Sequence, residues 1–261
     1  MKFKRSTLSI PYVIFLSLFV IIPIALIVFY AFTDANGSFS FDAAGNFFSN
    51  KGNWDVILVS LFVALQATIL CLLIGFPIAY FLANKEYNKN AVLVMLFIMP
   101  MWINFVLRTT ATRDILFAIG INGGNYPYLA TLIGMVYNYL PFVILPLYTT
   151  MLKLDKSQIE ACADLGANPA QVFMKSILPQ ALPGIISAIT MTFVPVMSSY
   201  VISDALSEGN IALVGNFIYL NFANNQWNNG SFMAFVLLIL VAISMFTTKQ
   251  EKETTNRGGL W

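Results

Sequence analysis

The amino-acid sequence predicts an all-α membrane protein with six transmembrane helices, and three observations carry that prediction. First, 58% of the 261 residues are hydrophobic and only 10% are charged, where a soluble domain carries about 25%. Second, the apolar residues gather into six runs, 8–32, 56–83, 91–107, 129–151, 184–203 and 230–248, none of which contains Asp, Glu, Lys or Arg. Runs of this length can cross a hydrocarbon core of about 30 Å. Third, the basic residues are unevenly shared between the connecting segments. If the N-terminus is cytoplasmic, eleven of the fourteen Lys and Arg fall on that side, and only Lys51, Arg108 and Arg113 fall outside. That is the bias of the positive-inside rule, and it puts both termini in the cytoplasm.

The elements follow in order. Residues 1–7 carry Lys2, Lys4 and Arg5 ahead of the first run. A signal peptide shares that basic start, but the run is long and no A-x-A site follows it, so a retained helix is expected. Residues 34–54 form a polar loop, and 85–90 a short turn between the second and third spans. Residues 108–128 read as a mixed loop, with 115–121 able to lie flat at the interface. A polar island, 152–183, separates the fourth and fifth spans. Residues 204–229 form a loop whose apolar part, 211–222, is too short and polar to span easily, and 249–261 is a polar tail.

Several functions are excluded or disfavoured. There is no histidine, so histidine-dependent catalysis is impossible. No G-x-x-x-x-G-K-[ST] loop exists to bind ATP. Spans without charge disfavour a proton-driven carrier, because intramembrane ions mark such relays. No internal repeat supports an inverted-repeat carrier. Cys71 lies in a span and Cys162 in the island; both read as small apolar fillers rather than a disulfide or metal pair. The spans do contain Pro11, Pro23, Pro77, Pro100, Pro141, Pro146 and Pro195, each of which removes a helix hydrogen bond.

The island, SQIEACADLGANPAQVFMKSILPQALP from Ser157, carries helix punctuation. Ser157 and Glu160 match a capping box. Gly166 sits where a helix closes with a left-handed residue. Asn168-Pro169-Ala170-Gln171 starts a second helix, with Asn as N-cap, Pro at N1 and Gln at N3. Pro179 and Pro183 are expected to end it. The pattern predicts two short helices joined by a tight turn.

Glu160-Ala161-Cys162, then Gly166, then Ile177-Leu178-Pro179, resembles the EAA motif of ABC-importer permeases, with Cys162 in place of the second alanine. The position, between the last-but-two and last-but-one spans on the cytoplasmic side, agrees. The resemblance implies a type I ABC importer permease fold, one transmembrane domain over 1–261 with 152–183 as its cytoplasmic coupling loop. It implies that Glu160, Ala161, Cys162, Gly166 and Phe173 dock onto a cytoplasmic ATPase. The chain then catalyses nothing and binds no cofactor, since ATP and Mg belong to the ATPase. The implied partners are a second homologous permease, two ATPase subunits, an extracytoplasmic solute-binding protein and the lipid of a bacterial inner membrane, with no nucleic acid.

Three further stretches, 99–109, 193–201 and 213–218, are similar to polyamine (spermidine/putrescine) permeases of that family. A polycation needs carboxylates, carbonyls or aromatic faces. Trp102 and Asn104, Tyr137, Asn138 and Tyr139, and Ser198, Ser199, Tyr200 and Asp204 are the candidates in or near the spans, with Glu208 a further acid at the outer mouth. Tyr and Trp near span ends also serve as interface anchors. The alternatives are an ABC permease for another small solute and an ion-coupled secondary carrier.

Overall fold

A chain in lipid finds no water for its backbone N–H and C=O groups, so they must be satisfied within each segment, as an α-helix does. The computed structural model describes residues 10–34, 36–84, 88 and 92–247, and these are almost wholly helical. The helices are α1 (Pro11–Ala31), α2 (Asp42–Ser49), α3 (Lys51–Ala83), α4 (Val92–Trp102) and α5 (Phe105–Ala118). They continue with α6 (Pro127–Met151), α7 (Lys156–Asp164), α8 (Pro169–Ser198), α9 (Val201–Ser207), α10 (Val214–Ala223) and α11 (Trp227–Thr247). Lys2, Lys4, Arg5, Lys85, Lys89 and the tail from 248, on which part of the orientation argument rests, lie outside the described residues.

Five helices, α1, α3, α6, α8 and α11, are long and apolar enough to cross a membrane singly. The sixth crossing differs from expectation. The third span is not one rod over 91–107: α4 and α5 meet at 97°. The break has a local cause. Pro100 sits in a 3₁₀ turn, Met99–Trp102, and Asn104 then caps a new helix, its side-chain oxygen accepting the Val106 N–H at 2.8 Å. Much of the expected 108–128 loop is therefore helix α5. The loops at 34–54 and 204–229 likewise hold α2, the first turn of α3, α9 and α10.

The fifth span also departs from expectation. Pro179 and Pro183 do not end the island's second helix; it runs on through them to Ser198. A π-turn at Phe173–Ile177 shifts the hydrogen-bond register, so that Pro179 falls in the first turn of the following α-segment. A proline there loses a bond the helix does not need. The same device occurs in α1, where a π-turn at Ser17–Ile21 precedes Pro23.

Helices α3, α6 and α8 pack together at the centre. On α3 the buried positions Ser60, Ala64, Ala67, Cys71, Gly75 and Ala79 recur every three or four residues. This stripe of small side chains lets backbones approach closely, as membrane helices require. A Cβ on Gly75 would come within 2.9 Å of Val143 on α6. Cys71 is fully buried and its Sγ lies 3.6 Å from the Val136 carbonyl, so it fills space as expected. Ser60 donates to Val56 O at 2.7 Å and accepts the Val214 N–H at 2.8 Å, tying α10 to α3. A second cluster joins Phe47 on α2 to Phe232 and Met233 on α11. Leu73, Phe62 and Met95 stand well exposed, the outward apolar surface of a protein made for lipid.

Gly215 opens α10 where α8 ends, and a Cβ there would overlap the Ser198 carbonyl. Gly215→Ala should lower stability by about 1–3 kcal/mol through overpacking. Gly45→Ala, on α2 with nothing near its Cβ, should be neutral or stabilising by about 0.5–1 kcal/mol. Thermal unfolding in detergent, followed by fluorescence, compares the two.

Candidate coupling element and solute cavity

The island forms one end of the helix bundle. Helix α6 stops at Met151, and α7 begins at an N-cap that is Asp155, not Ser157. Asp155 Oδ1 accepts the Ser157 N–H at 3.0 Å and the Ser157 hydroxyl at 2.7 Å. The expected Ser157–Glu160 box is thus replaced, because a carboxylate two residues upstream claims both the first free amide and the Ser157 hydroxyl itself. The Ser157 hydroxyl is the main reason that the Asp155 carboxyl is held below its usual range. The Asp155 N–H donates in turn to Gln180 Oε1 at 2.8 Å, pinning the start of α7 to α8.

Gly166 closes α7 with φ +84°. Its N–H reaches Ala163 O at 2.9 Å, and the Ala167 N–H reaches Cys162 O at 3.3 Å, the paired bonds of a Schellman motif. Asn168 and Gln171 make the expected capping box: Asn168 Oδ1 accepts the Gln171 N–H at 2.8 Å and Gln171 Oε1 accepts the Asn168 N–H at 3.0 Å. The turn throws Leu165 outward, 89% exposed.

Glu160 and Ala161 are exposed on α7 and Cys162 is half-buried. Glu160 and Lys156 border a groove of about 380 Å³, whose other walls include Tyr80 and Asn84 of the α3 end and Met151. Phe173 packs edge-on to Phe76 of α3, ring centres 5.4 Å apart, and Ile177 is buried. These two therefore face the bundle, and the outward apolar groups are Leu165 and Met174.

The residues expected along a solute pathway fall in different places. Trp102 and Asn104 line a cavity of about 430 Å³ beside the α4–α5 bend, together with Asn138, Tyr139 and Arg108. Tyr139 donates its hydroxyl to Pro195 O at 3.3 Å. Tyr200 is stacked on Tyr219 of α10 (5.0 Å, 10°), with Asp204 exposed one turn further along α9. Tyr137, exposed on α6, does not line the cavity but lies within electrostatic reach of Arg108. Gln180, Tyr219 and the burial of Arg108 escaped the sequence.

Fold and site together define a multi-span membrane permease with a two-helix element presented at one end. Residues 75–249 match the family described as "Binding-protein-dependent transport system inner membrane component", and the chain belongs to that family. It is 33% identical to the spermidine/putrescine transport system permease protein PotB of Haemophilus influenzae, over 98% of this chain and 96% of that protein. PotB of Escherichia coli is 32% identical over 78% of this chain and 80% of that one. Among solved structures, a bacterial ABC transporter for the acidic polysaccharide alginate superposes with a TM-score of 0.69 at 19% identity, over 97% of this chain and 99% of that one. The methionine transporter MetNI superposes with a TM-score of 0.55 at 20% identity, over 74% and 91%. The chain is an ABC-importer permease, homologous to the PotB permeases.

The caps predict measurable effects. Gly166→Ala has room for its methyl but must hold a left-handed backbone, a penalty of about 1–2 kcal/mol. Asn168→Ala should cost about 1 kcal/mol. Because the native pKa of Asp155 is depressed, its cap is complete above the unfolded value of about 3.9 and is lost as pH falls through the lower native value. Hydrogen exchange at the Ser157 and Gln158 amides, corrected for its intrinsic pH dependence, should lose protection over that range and show none in Asp155→Ala.

Proposed function

We propose that this chain is the transmembrane subunit of an ATP-driven polyamine importer in a bacterial inner membrane, with both termini and the 152–183 element cytoplasmic. It pairs with a second, similar permease, receives its solute from an extracytoplasmic binding protein and is driven by two ATPase subunits. Those subunits hold the ATP and Mg. The similarity to spermidine/putrescine permeases over nearly the whole chain supports the choice of solute.

The observation that carries the reading is the continuity of α8. One helix runs from the Asn168 cap at the exposed element to Ser198 at the far end of the bundle. A push on α7 and the Gly166 turn moves this rod as a body, and its far end adjoins Tyr200 and α10. Closure of the ATPases then switches the solute cavity from outward-facing to inward-facing. Glu160 offers a carboxylate to a basic partner residue, Ala161 and Cys162 permit close approach, and Leu165 supplies an apolar anchor. Phe173, braced on Phe76, couples the start of α8 to α3. Trp102, Asn104, Tyr137, Tyr200 and Asp204 offer aromatic faces, an amide and a carboxylate to the cationic solute.

Glu160→Ala and Gly166→Pro should insert normally yet uncouple ATP hydrolysis from uptake in proteoliposomes. Gly166→Pro should be the more severe, since proline cannot adopt φ +84° and removes the N–H donated to Ala163. Unchanged uptake in both variants sinks the coupling role. Unlabelled spermidine or putrescine should compete with labelled solute when the binding protein is present; failure of both to compete sinks the polyamine assignment alone.

A further inference from the structure

Six carboxamides, Asn46, Asn50, Asn53, Asn221, Gln226 and Asn229, line a pocket of about 190 Å³ at the end of the bundle opposite the island, and none of its lining residues is charged. Three of these amides are held by the chain itself. Asn53 donates its Nδ2 to Phe47 O at 3.1 Å and Asn221 its Nδ2 to Phe217 O at 2.8 Å, so each keeps its Oδ1 as an acceptor. Asn50 Oδ1 accepts the Gly52 N–H at 2.9 Å, which leaves its Nδ2 to donate. Asn46 and Gln226 are exposed and Asn229 is half-buried, so the pocket is open to a ligand. Acceptors and donors side by side suit a hydroxyl, which does both, whereas an ammonium only donates and finds no carboxylate among the lining residues.

The depth of the pocket identifies what reaches it. Asn53 precedes the charge-free run 56–83 by three residues, and Asn229 immediately precedes the run 230–248. At 1.5 Å per residue both stand within about 5 Å of the hydrocarbon, inside a headgroup layer of about 5–8 Å. Trp54 and Trp227, both exposed, mark the same level as interface anchors do, and the Trp54 ring lies 5.9 Å from that of Phe47 in the pocket wall. Lys51, between Asn50 and Asn53, carries the one positive charge of residues 34–54 and 204–229. It is exposed, and the one ion pair among the described residues is Arg113–Asp114. We propose that this pocket binds the head group of phosphatidylglycerol, with the glycerol hydroxyls on the amides and the phosphate on Lys51. The proposal rests on the chain's crossing a membrane, not on the solute or on the ATPase.

The test uses transporter containing the full chain, purified in mild detergent and stripped of lipid. It is offered equal amounts of phosphatidylglycerol, phosphatidylethanolamine and phosphatidic acid, and native mass spectrometry counts what stays bound. Phosphatidylglycerol should be retained in preference to both others. The double variant Asn46→Ala, Gln226→Ala should weaken its binding at one site by about tenfold or more, and Lys51→Gln should weaken phosphatidylglycerol and phosphatidic acid alike. Retention of phosphatidylethanolamine or phosphatidic acid equal to that of phosphatidylglycerol overturns the proposal, and so does an unchanged preference in the double variant. Displacement of the lipid by free glycerol 3-phosphate at a like concentration overturns the lipid as occupant. Should the double variant fail to fold, Asn229→Asp decides. A carboxylate in the pocket should turn the preference towards phosphatidylethanolamine, and a preference for phosphatidylglycerol that survives it overturns the site.

Discussion

The constraint on which this structure depends is that a backbone in lipid must satisfy its own hydrogen bonds. The many prolines test that constraint, and the chain answers them locally. Pro23 and Pro179 follow π-turns that place them in first-turn positions. Pro100 lies in a 3₁₀ turn just before the chain changes direction and Asn104 starts a fresh helix. The two outcomes serve different ends. At Pro179 continuity is kept, and α8 becomes one rod between the exposed element and the far side. At Pro100 continuity is broken, and the 97° bend opens the wall of the cavity that holds Arg108.

Packing follows from the same solvent. Lipid gives apolar side chains little reason to cluster, so helices associate where backbones approach closely. The small-residue stripe of α3, facing α6, meets that need, and Gly184 of α8 does so against Thr150 and the Pro146 carbonyl. A core built this way is stiff and intolerant of added volume. Such a core transmits displacement from one end to the other rather than absorbing it.

The exposed element reverses the balance. Helices α7 and the first turn of α8 have few buried neighbours, and their geometry is set by caps. Asp155, the Gly166 turn and the Asn168–Gln171 box define where each helix begins and ends. Gln180 then ties the two together. The result presents Glu160 and Leu165 in a defined arrangement without burying them.

What the sequence by itself determined was whatever depends on composition and nearest neighbours. The apolar runs, the left-handed Gly166, the Asn168 cap and the small size of Cys71 and Cys162 were legible because each follows from local sterics or from the cost of charge in lipid. The EAA pattern added the family. What only the tertiary structure decided was which local option won where two competed. Asp155 displaced Ser157 as a cap, and Pro179 was absorbed rather than obeyed because the preceding turn changed its register. The third span bent at Asn104 instead of running straight. Arg108 read as a loop residue and proved to be buried, because its fate depends on α6 and α9 folding against α5, contacts too far away in the chain for any local pattern to record.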